Sequence, residues 1–464
     1  MKNYSLYYEK LSEWKDPEKV FVSLYGKKEH TFWLDSSKVE KGLSRFSYMG
    51  EAKEIISYSL DSKSKDIFLE LNHELQKIKI EKTSLPFDFT GGFVGYFGYE
   101  LKVLCGYDNI HKSEYPDSLW YFVDRFLVFD HETNEMYLVC LTEEIEDAKA
   151  WCQNVKDKIQ SVSILPDVNH QKIKHLAFHL NRDKEQYLRD INLCKEYFKN
   201  GDSYEICLTN TITTEAEVDP LDLSRILRRV NPAPYAAYIK HGDFAILCSS
   251  PERFLKIDQN RWIESKPIKG TIKRGINQEE DLKLAKQLQT SEKDKAENLM
   301  IVDLLRNDLG KVCEIGSVSV SKLMEIETYQ TMHQLVSTIR GRQKKDVSAI
   351  DCIKACFPGG SMTGAPKKRT MEIIDKLEKK ARGVYSGALG FLSVSGTVDL
   401  NIVIRTIVVN KNKLSLGAGG AIVDQSDEEK EFEEMMLKAQ ALIDAIVKIS
   451  GASTHAVNIH KAYF

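Results

Sequence analysis

One lysine stands in a pentapeptide that should bend the chain, Pro267-Ile268-Lys269-Gly270-Thr271. Proline fixes its own φ and glycine adopts conformations that other residues avoid, so we expect the backbone to leave regular structure here. An amine on such a bend can act as a nucleophile, bind a phosphate or carboxylate, or remain a solvated loop charge. Since most lysines are exposed, the pentapeptide alone favours the solvated charge.

Two predicted helices carry acidic residues spaced three apart. Asp294 and Glu297 share one face of the first helix, and Glu431 and Glu434 share one face of the second. Each pair alone is typical of a solvated helix face. If the two faces meet, their carboxylates offer oxygen ligands for Mg²⁺, which takes one or two carboxylates together with an anionic substrate.

Two glycine-rich segments and one arginine could bind an anion. The segment 357–367 is similar to a phosphate loop, but Ala365-Pro366 stands where that motif needs Lys followed by Ser or Thr. A nucleotide site is therefore disfavoured, whereas a turn before a helix beginning near Gly364 could hold a carboxylate. The segment 416–421 predicts a second such turn. Arg405 lies in an otherwise apolar predicted strand and would need an anionic partner if buried.

Two further titratable residues have open roles. A histidine such as His333, within 331–335, more often lies in the core with its ring nitrogens hydrogen-bonded than acts as a catalyst. Glu252 follows Ser249-Ser250-Pro251 and precedes a predicted strand, which is a common place for an exposed glutamate.

Strands and helices alternate along the chain and would position these residues. Glycine at every third position of 91–100 indicates close backbone packing in a strand rather than a dinucleotide site. The polar segment 156–174 is the best linker candidate, and Asn181 could cap a helix over 182–198. The other predicted strands are 31–34, 120–123, 135–140, 236–239, 244–247 and 402–409, and the other predicted helices are 292–309, 325–340, 367–379 and 427–449.

Composition narrows the class of protein. The 464 residues are 42% apolar and 29% charged, which is enough for two or three globular domains or one large intertwined domain. A net charge of -3 gives no reason to expect nucleic acid, and no apolar run is long enough for a membrane span. Nine dispersed cysteines and the absence of a signal-like N-terminus predict free thiols in a cytoplasmic protein. No cysteine resembles the nucleophile of a glutaminase, so any ammonia would come from another protein.

Taken together, the motifs resemble the chorismate-utilising enzymes. Within that family, the large subunits of anthranilate synthase resemble Pro-Ile-Ala-Gly-Thr, with Ala in place of Lys269. The lysine form, together with 201–209, is similar to the branch that aminates chorismate at C4. The matching segments are 44–47, 91–99, 250–254, 267–271, 296–308, 357–366, 404–406, 418–420 and 431–438.

The resemblance implies a fold and a reaction. The fold would be α+β, with two face-packed antiparallel β-sheets and helices outside, in which an N-terminal lobe (1–165) is interwoven with a catalytic region (175–450). The reaction would be the Mg²⁺-dependent amination of chorismate to 4-amino-4-deoxychorismate, on the route to p-aminobenzoate and folate. Ammonia would come from a separate glutamine amidotransferase subunit in a heterodimer. The alternatives are anthranilate synthase component I, isochorismate synthase, or a non-catalytic binding subunit.

The resemblance also implies roles for particular residues. Lys269 would add to the ring at C2, with Glu252 and His333 transferring protons. Because a neutral lysine at pH 7 costs about 4–5 kcal/mol, burial or the charges of Lys273 and Arg274 would have to lower its pKa. The remaining implied residues are Glu297 and Glu434, with Glu431 beside them, for Mg²⁺; Tyr385, Arg405, Gly419, Gly420, Lys438, Ser361 and Thr271 for the substrate; and Ser36, Arg45, Pro232, Pro234 and Tyr235 for a possible tryptophan.

Overall fold

A computed structural model describes residues 2–40, 42–61, 66–81, 84–162, 164–170, 176–328, 332–451 and 457–460. The strands are β1 Lys2–Asn3, β2 Ser5–Leu11, β3 His30–Asp35, β4 Phe46–Glu51, β5 Glu54–Tyr58, β6 Ile78–Lys79, β7 Gly92–Phe97, β8 Ser118–Val123, β9 Arg125–Asp130, β10 Glu135–Thr142, β11 Leu176–Leu180, β12 Glu205–Glu215, β13 Tyr235–His241, β14 Phe244–Ser250, β15 Arg253–Ile257, β16 Trp262–Lys266, β17 Ile268–Lys273, β18 Ser319–Thr328, β19 Met332–Arg342, β20 Gly364–Ala365, β21 Ala388–Ser393, β22 Val398–Ile402, β23 Thr406–Asn410, β24 Lys413–Ile422 and β25 Val457–His460. The α-helices are α1 Pro17–Tyr25, α2 Ile67–Gln76, α3 Ile145–Gln160, α4 Lys184–Lys199, α5 Pro220–Val230, α6 Gln278–Thr290, α7 Glu292–Val312, α8 Ala349–Cys356, α9 Lys367–Glu378 and α10 Glu428–Ser450, and two 3₁₀ helices span Tyr99–Cys105 and Gly360–Met362.

Two large sheets account for almost all of the strands. The first runs β2-β10-β9-β4-β3-β13-β14-β23-β24-β12-β11-β25, with β20 also paired to β12. The second runs β17-β19-β16-β15-β22-β21-β7-β8-β5, with β18 also paired to β19. The pairings are antiparallel except for β25 on β11, and the short strands β1 and β6 form a parallel pair of their own.

The sheets pack face to face, with helices on both outer sides. Alternation along β9 shows the arrangement, because Phe126 and Val128 point into the core shared by the two sheets, whereas Leu127 and Phe129 point into the core under the helices. Helices α1, α3, α4, α5 and α10 cover the first sheet, and α2, α7 and α8 cover the second. The predicted α+β class and the face-packed sheets are confirmed.

Both sheets are continuous between the early and the late parts of the chain. In the first sheet β3 pairs with β13, where Ala237 lies opposite Leu34. In the second sheet β7 pairs with β21, where Gly95 lies opposite Gly390. The division into 1–165 and 175–450 stays a prediction, but strands from both ranges contribute to each sheet.

Two predicted elements are wrong. The predicted helix over 325–340 is instead the antiparallel pair β18 and β19. Residues 333–339 are buried on both faces of the sheet, so apolar and polar residues do not alternate along this strand. The strand predicted over 402–409 breaks into β22 and β23, which belong to different sheets.

Two boundaries also shift. The cap of α4 is Asp183, whose side chain accepts from the N–H of Gln186, rather than Asn181. Helix α3 extends to Gln160, into the predicted linker, and 171–175 lie outside the described residues. The other predicted helices and strands are confirmed within a few residues. In the described part of the chain, no helix combines the length and apolarity needed to span a membrane.

Close backbone packing explains the glycines of β7. A Cβ built on Gly95 would lie 2.0 Å from the carbonyl oxygen of Leu119 on β8. We predict that Gly95→Ala destabilises the fold by about 1–3 kcal/mol, because the neighbouring backbone would have to move. Urea unfolding of the variant and the wild type measures the difference.

Gly310 supplies the control for this prediction. It lies in α7, and apart from the neighbouring backbone of that helix no described atom comes within 4 Å of a Cβ built there. Gly310→Ala should therefore stabilise the helix by roughly 0.5–1 kcal/mol. Equal effects of the two alanines on stability would contradict the packing argument.

Candidate active site

A cavity of about 620 Å³ opens between the ends of the two sheets. Strand β24 of the first sheet and strand β17 of the second form opposite walls, and helices α7 and α10 close the remaining sides. Of the residues predicted for catalysis, substrate and metal, those that line it are Glu252, Lys269, Thr271, Glu297, Ser361, Tyr385, Arg405, Gly419, Gly420, Glu434 and Lys438.

Two of these residues lie where the chain crosses from one sheet to the other. Glu252 joins β14 to β15, and Arg405 joins β22 to β23 with a left-handed φ of 52°. The crossings are bound to each other, since Ile402 N–H donates to the carbonyl of Glu252 (3.0 Å) and Ser249 N–H donates to that of Arg405 (3.0 Å). Together they bring an acid and a cation to the same cavity wall.

Lys269 projects into the cavity from a bulged strand. The backbone does not leave regular structure as predicted; instead β17 continues through the pentapeptide, and its register with β19 shifts between Ile268 and Thr271. Gly270 has a φ of +81°, which favours glycine, and a Cβ there would also meet Asp294. The Lys269 side chain is only 9% exposed, and its Nζ donates to Oε1 of Glu205 at 2.9 Å.

The surroundings of Lys269 favour its charged form. Burial alone would lower the pKa of Lys269, but the carboxylates of Glu205 and Glu297 outweigh burial and raise the pKa above its ordinary value. The expected lowering by Lys273 and Arg274 is wrong, because Arg274 is bound to Asp281 (2.7 Å) and Lys273 is exposed. The amine therefore has to lose its proton before it can act as a nucleophile.

Glu252 is buried rather than exposed, with 7% of its surface accessible. Burial raises its pKa to about 7, although a hydrogen bond from Ser361 and the charges of Lys269 and Lys438 act in the opposite direction. A carboxyl that keeps its proton up to neutral pH can protonate a leaving hydroxyl.

The acidic faces of α7 and α10 meet, with a lysine between them. Lys293 Nζ lies 2.6 Å from Glu431 Oε1 and 3.7 Å from Glu297 Oε1. Glu431 also accepts from the Ser426 hydroxyl (2.7 Å), and neither Glu431 nor Ser426 lines the cavity. Among the residues that the structure describes, no group of three or more His, Cys, Asp or Glu is arranged to hold a metal.

Two carboxylates remain suited to a cation that also contacts substrate. Oε1 of Glu297 is buried without a hydrogen-bond partner among the described atoms, and Glu434 reaches the same cavity from α10. Glu434 is held by Lys438 at 2.7 Å. Because Mg²⁺ takes only one or two protein carboxylates when a substrate supplies the rest, these residues fit the ion.

The wall formed by β24 and the crossings is basic. Arg405 donates to the carbonyl of Lys438 (2.6 Å) and forms no ion pair with any described residue. Burial lowers the pKa of Arg405, and an incoming carboxylate would offset the free-energy cost of keeping this buried guanidinium charged. Burial also raises the pKa of Tyr385, which leaves a neutral hydroxyl donor.

The predicted anion-binding turn at 416–421 is wrong, because these residues belong to strand β24. Its glycines allow close contact instead. A Cβ on Gly419 would lie 2.4 Å from the carbonyl oxygen of Leu208, and one on Gly417 would lie 2.3 Å from the Tyr385 ring. Gly417 therefore makes room for Tyr385 beside the cavity, and Gly419 for the backbone of β12.

His333 is not brought together with the other predicted catalytic residues. On β19 its neighbours Met332 and Gln334 line the cavity, whereas its own ring lies on the opposite face. Nε2 is 2.9 Å from Oδ1 of Asp281 and Nδ1 is 2.9 Å from the hydroxyl of Thr328. These contacts hold the His333 ring beside α6 and indicate a structural role.

The residues predicted for tryptophan divide between two cavities. Ser36, Arg45 and Tyr235 line a second cavity of about 340 Å³, whereas Pro232 lines the larger one and Pro234 lines both. Arg45 is already paired with Asp130 (2.5 Å). Tryptophan binding in the second cavity stays a prediction.

Two charged residues of this region received no role from the sequence. Glu205 stands at the start of β12 before the apolar run Ile206-Cys207-Leu208, and a carboxylate at the start of a buried strand could have marked it. Lys293 lies in a helix rich in both charges, so nothing in the sequence distinguishes it from a solvated lysine.

The chain belongs to the family described as chorismate binding enzyme, which matches residues 29–444. It is 45% identical to a probable aminodeoxychorismate synthase from rice (Oryza sativa subsp. japonica), over 91% of this chain and 54% of the rice protein. It is 34% identical to anthranilate synthase component 1 of Acetivibrio thermocellus, over 92% of each. Among solved structures, anthranilate synthase component I of Streptococcus pneumoniae is similar, with a TM-score of 0.74 and 28% identity over 92% of this chain and 97% of that one. The chain thus spans about half the length of the rice relative.

The raised pKa of Glu252 predicts a pH-dependent loss of stability. A carboxyl with a pKa of about 7 when folded and 4.5 when unfolded contributes full stability below 4.5 and loses it as pH rises through 7. Glu252→Gln, which cannot ionise, should therefore gain on the order of 3 kcal/mol relative to the wild type between those pH values. Urea unfolding of both proteins across this range measures the gain.

Glu433→Gln is the matched control, since Glu433 is exposed on α10. Its stability relative to the wild type should not change with pH. A Glu252→Gln difference that is equally independent of pH would show that the buried carboxyl stays ionised.

Proposed function

We propose that this chain aminates chorismate at C4 with ammonia, in a Mg²⁺-dependent reaction that gives 4-amino-4-deoxychorismate for p-aminobenzoate synthesis. The observation that carries the proposal is the position of Lys269 in the same cavity as Arg405, Lys438 and Glu252, whose pKa burial raises to about 7. The name of the rice relative, probable aminodeoxychorismate synthase, supports the same reaction.

In the first half of the reaction, the neutral amine of Lys269 adds to C2 of the ring. The C1–C2 π electrons move to C1–C6, the C5–C6 π electrons move to C4–C5, and the C4–O bond breaks. Glu252 gives its proton to the departing hydroxyl, which leaves as water. The product is a covalent adduct between Nζ and C2.

In the second half, ammonia adds to C4 and the electron shifts reverse. The C2–N bond breaks and Lys269 departs as an amine, while the new C4 ammonium gives a proton back to the carboxylate of Glu252. Both cavity residues thereby return to their starting forms. The geometry that serves the addition also serves the substitution, because both occur on the ring held against β17.

The basic wall would hold the two carboxylates of chorismate. Arg405 supplies a cation without a carboxylate partner among the described residues, and Tyr385 and Lys438 lie beside it. The backbone of Gly419 and Gly420 forms the adjoining surface, and Ser361 and Thr271 add hydroxyl groups that could contact the ring substituents. These side chains orient the ring between Lys269 and Glu252.

Glu297 and Glu434 would hold Mg²⁺, with Glu431 behind them. The support is the buried Oε1 of Glu297, which accepts no hydrogen bond from the described atoms, and the position of both carboxylates at the same cavity. When bound, the ion supplies Lewis-acid polarisation of the ring carboxylate.

A separate glutamine amidotransferase subunit would supply the ammonia. None of the nine cysteines of this chain is exposed, and eight are buried. Because a glutaminase needs an accessible thiolate, hydrolysis of glutamine on this chain has no suitable nucleophile. Free ammonium salts should therefore replace the partner in vitro.

The direct test is to incubate the protein with chorismate, Mg²⁺ and an ammonium salt and to identify the product. We expect 4-amino-4-deoxychorismate, which becomes p-aminobenzoate only after a lyase is added. Fluorescent anthranilate without a lyase would identify an anthranilate synthase instead. Isochorismate formed without regard to ammonium would identify an isochorismate synthase, in which water takes the place of ammonia.

The covalent role of the lysine predicts a large loss in Lys269→Met. The variant keeps the length of the side chain without the amine, so amination should fall at least about 10³-fold. Lys273→Ala is the control, because Lys273 lies exposed on the same strand, and its rate should stay within about twofold of the wild type. Full amination by Lys269→Met would rule out the covalent step.

A further inference from the structure

A second carboxylate lies directly behind the nucleophile. Glu205 begins β12 and is fully buried, and it does not line the cavity. Its Oε1 accepts from Lys269 Nζ at 2.9 Å, and its Oε2 is buried without a hydrogen-bond partner in the described part of the chain. The amination steps proposed above assign no role to Glu205.

The proton of Lys269 needs an acceptor inside the protein. Glu252, whose pKa burial raises to about 7, is needed as the acid for the departing hydroxyl. Glu297 makes no hydrogen bond to Lys269 among the described contacts and would be committed to Mg²⁺. Glu205 is therefore the carboxylate in direct reach.

A purely structural role explains Glu205 less well. A buried ion pair that leaves one oxygen without a hydrogen bond usually stabilises a fold no more than apolar side chains of similar size. The groups that face Lys269 from the surrounding elements are Glu205 and Cys207 of β12, Glu297 of α7, Glu252 and Glu434. Of these described groups, only Glu205 accepts a hydrogen bond from the amine.

We infer that Glu205 is the proton acceptor that converts the Lys269 ammonium to the attacking amine, an inference that rests on the proposed amination. The N–H bond that points at Oε1 breaks, the proton joins the carboxylate, and the nitrogen lone pair forms the bond to C2. When ammonia later displaces the lysine, the Glu205 carboxyl returns the same proton to Nζ. Because Lys269 recovers the proton that it gave to Glu205, the cycle needs no proton from solvent.

The position of Glu205 behind the lysine explains how this acceptor stays available. The carboxylate contacts neither the cavity nor the substrate carboxylates, so the bound ring cannot compete for it. Its strand β12 pairs with β24, which forms the opposite wall, and the register Glu205↔Ala365 also anchors it to the loop that carries Ser361. The acceptor is thus fixed by the same strands that shape the cavity.

The test compares Glu205→Gln with Glu215→Gln in the ammonium-dependent amination at saturating Mg²⁺ and chorismate. Glu215 lies on the same strand but is exposed, so it controls for the change of charge and for the free ammonia concentration at each pH. Glutamine keeps the length of the side chain and can still accept a hydrogen bond from Lys269, but it cannot take the proton. Thermal unfolding of each variant checks that it is folded.

We expect the kcat of Glu205→Gln to fall about 10²-fold at neutral pH, with an unchanged KM for chorismate, because Glu205 does not touch the cavity. The ratio of its kcat to that of Glu215→Gln should rise about tenfold for each pH unit, because Lys269 must then lose its proton to solvent. Glu205→Asp should recover at least about tenfold of the lost kcat and flatten this pH dependence, since it restores a carboxylate.

A kcat ratio of one, or a loss that does not change with pH, would overturn the inference and leave Glu205 a structural partner of Lys269. Failure of Glu205→Asp to exceed Glu205→Gln would overturn it as well. If Glu215→Gln and the wild type form no amino product, the proposed amination itself fails. That result is distinct from a loss of activity in Glu205→Gln alone.

Discussion

A buried ion pair, Lys269 with Glu205, joins the two sheets at the floor of the cavity. Removing a lysine from water is costly unless a carboxylate receives it, so the amine can stay inside only while β12 of the first sheet and β17 of the second are both in place. Each sheet in turn requires strands from early and late in the chain. The charge at the centre of the site therefore depends on the completed fold, and no separate segment of the chain could hold it.

The same constraint orders the rest of the cavity. The cavity is lined by the cations Arg405, Lys438 and Lys269 and by the carboxylates Glu297 and Glu434, of which Glu434 is paired with Lys438 at 2.7 Å. A substrate with two carboxylates would meet these cations and a metal held by the two glutamates. Opposed charges of this kind fix the orientation of a small ring more firmly than apolar contacts, because each misplacement leaves a buried charge unpaired. In the proposed reaction, the amine would face one ring carbon and Glu252 would face the departing hydroxyl.

Much of this arrangement could be predicted from the sequence, because its signals are local. Apolar alternation and caps gave α7, α10 and most strands, and the spacing of Asp294, Glu297, Glu431 and Glu434 indicated that two acidic helix faces could meet. The rest depends on long-range pairing. Residues 333–339 of β19 are buried on both faces of the sheet, and Arg405 reaches the cavity because the chain changes sheets there. The protonation of Lys269 cannot be predicted from the sequence for the same reason, since the carboxylates that surround it, Glu205 and Glu297, come from distant segments.

The central claim is that Lys269 forms a transient bond to C2 of the substrate ring. Rapid acid quenching of the protein with chorismate and Mg²⁺, without ammonia, followed by mass spectrometry of its peptides, tests this claim most directly. The account predicts that the peptide containing Lys269 gains the mass of chorismate less water, and that ammonium removes the added mass. Amino product formed at the normal rate while that peptide never changes mass would contradict it.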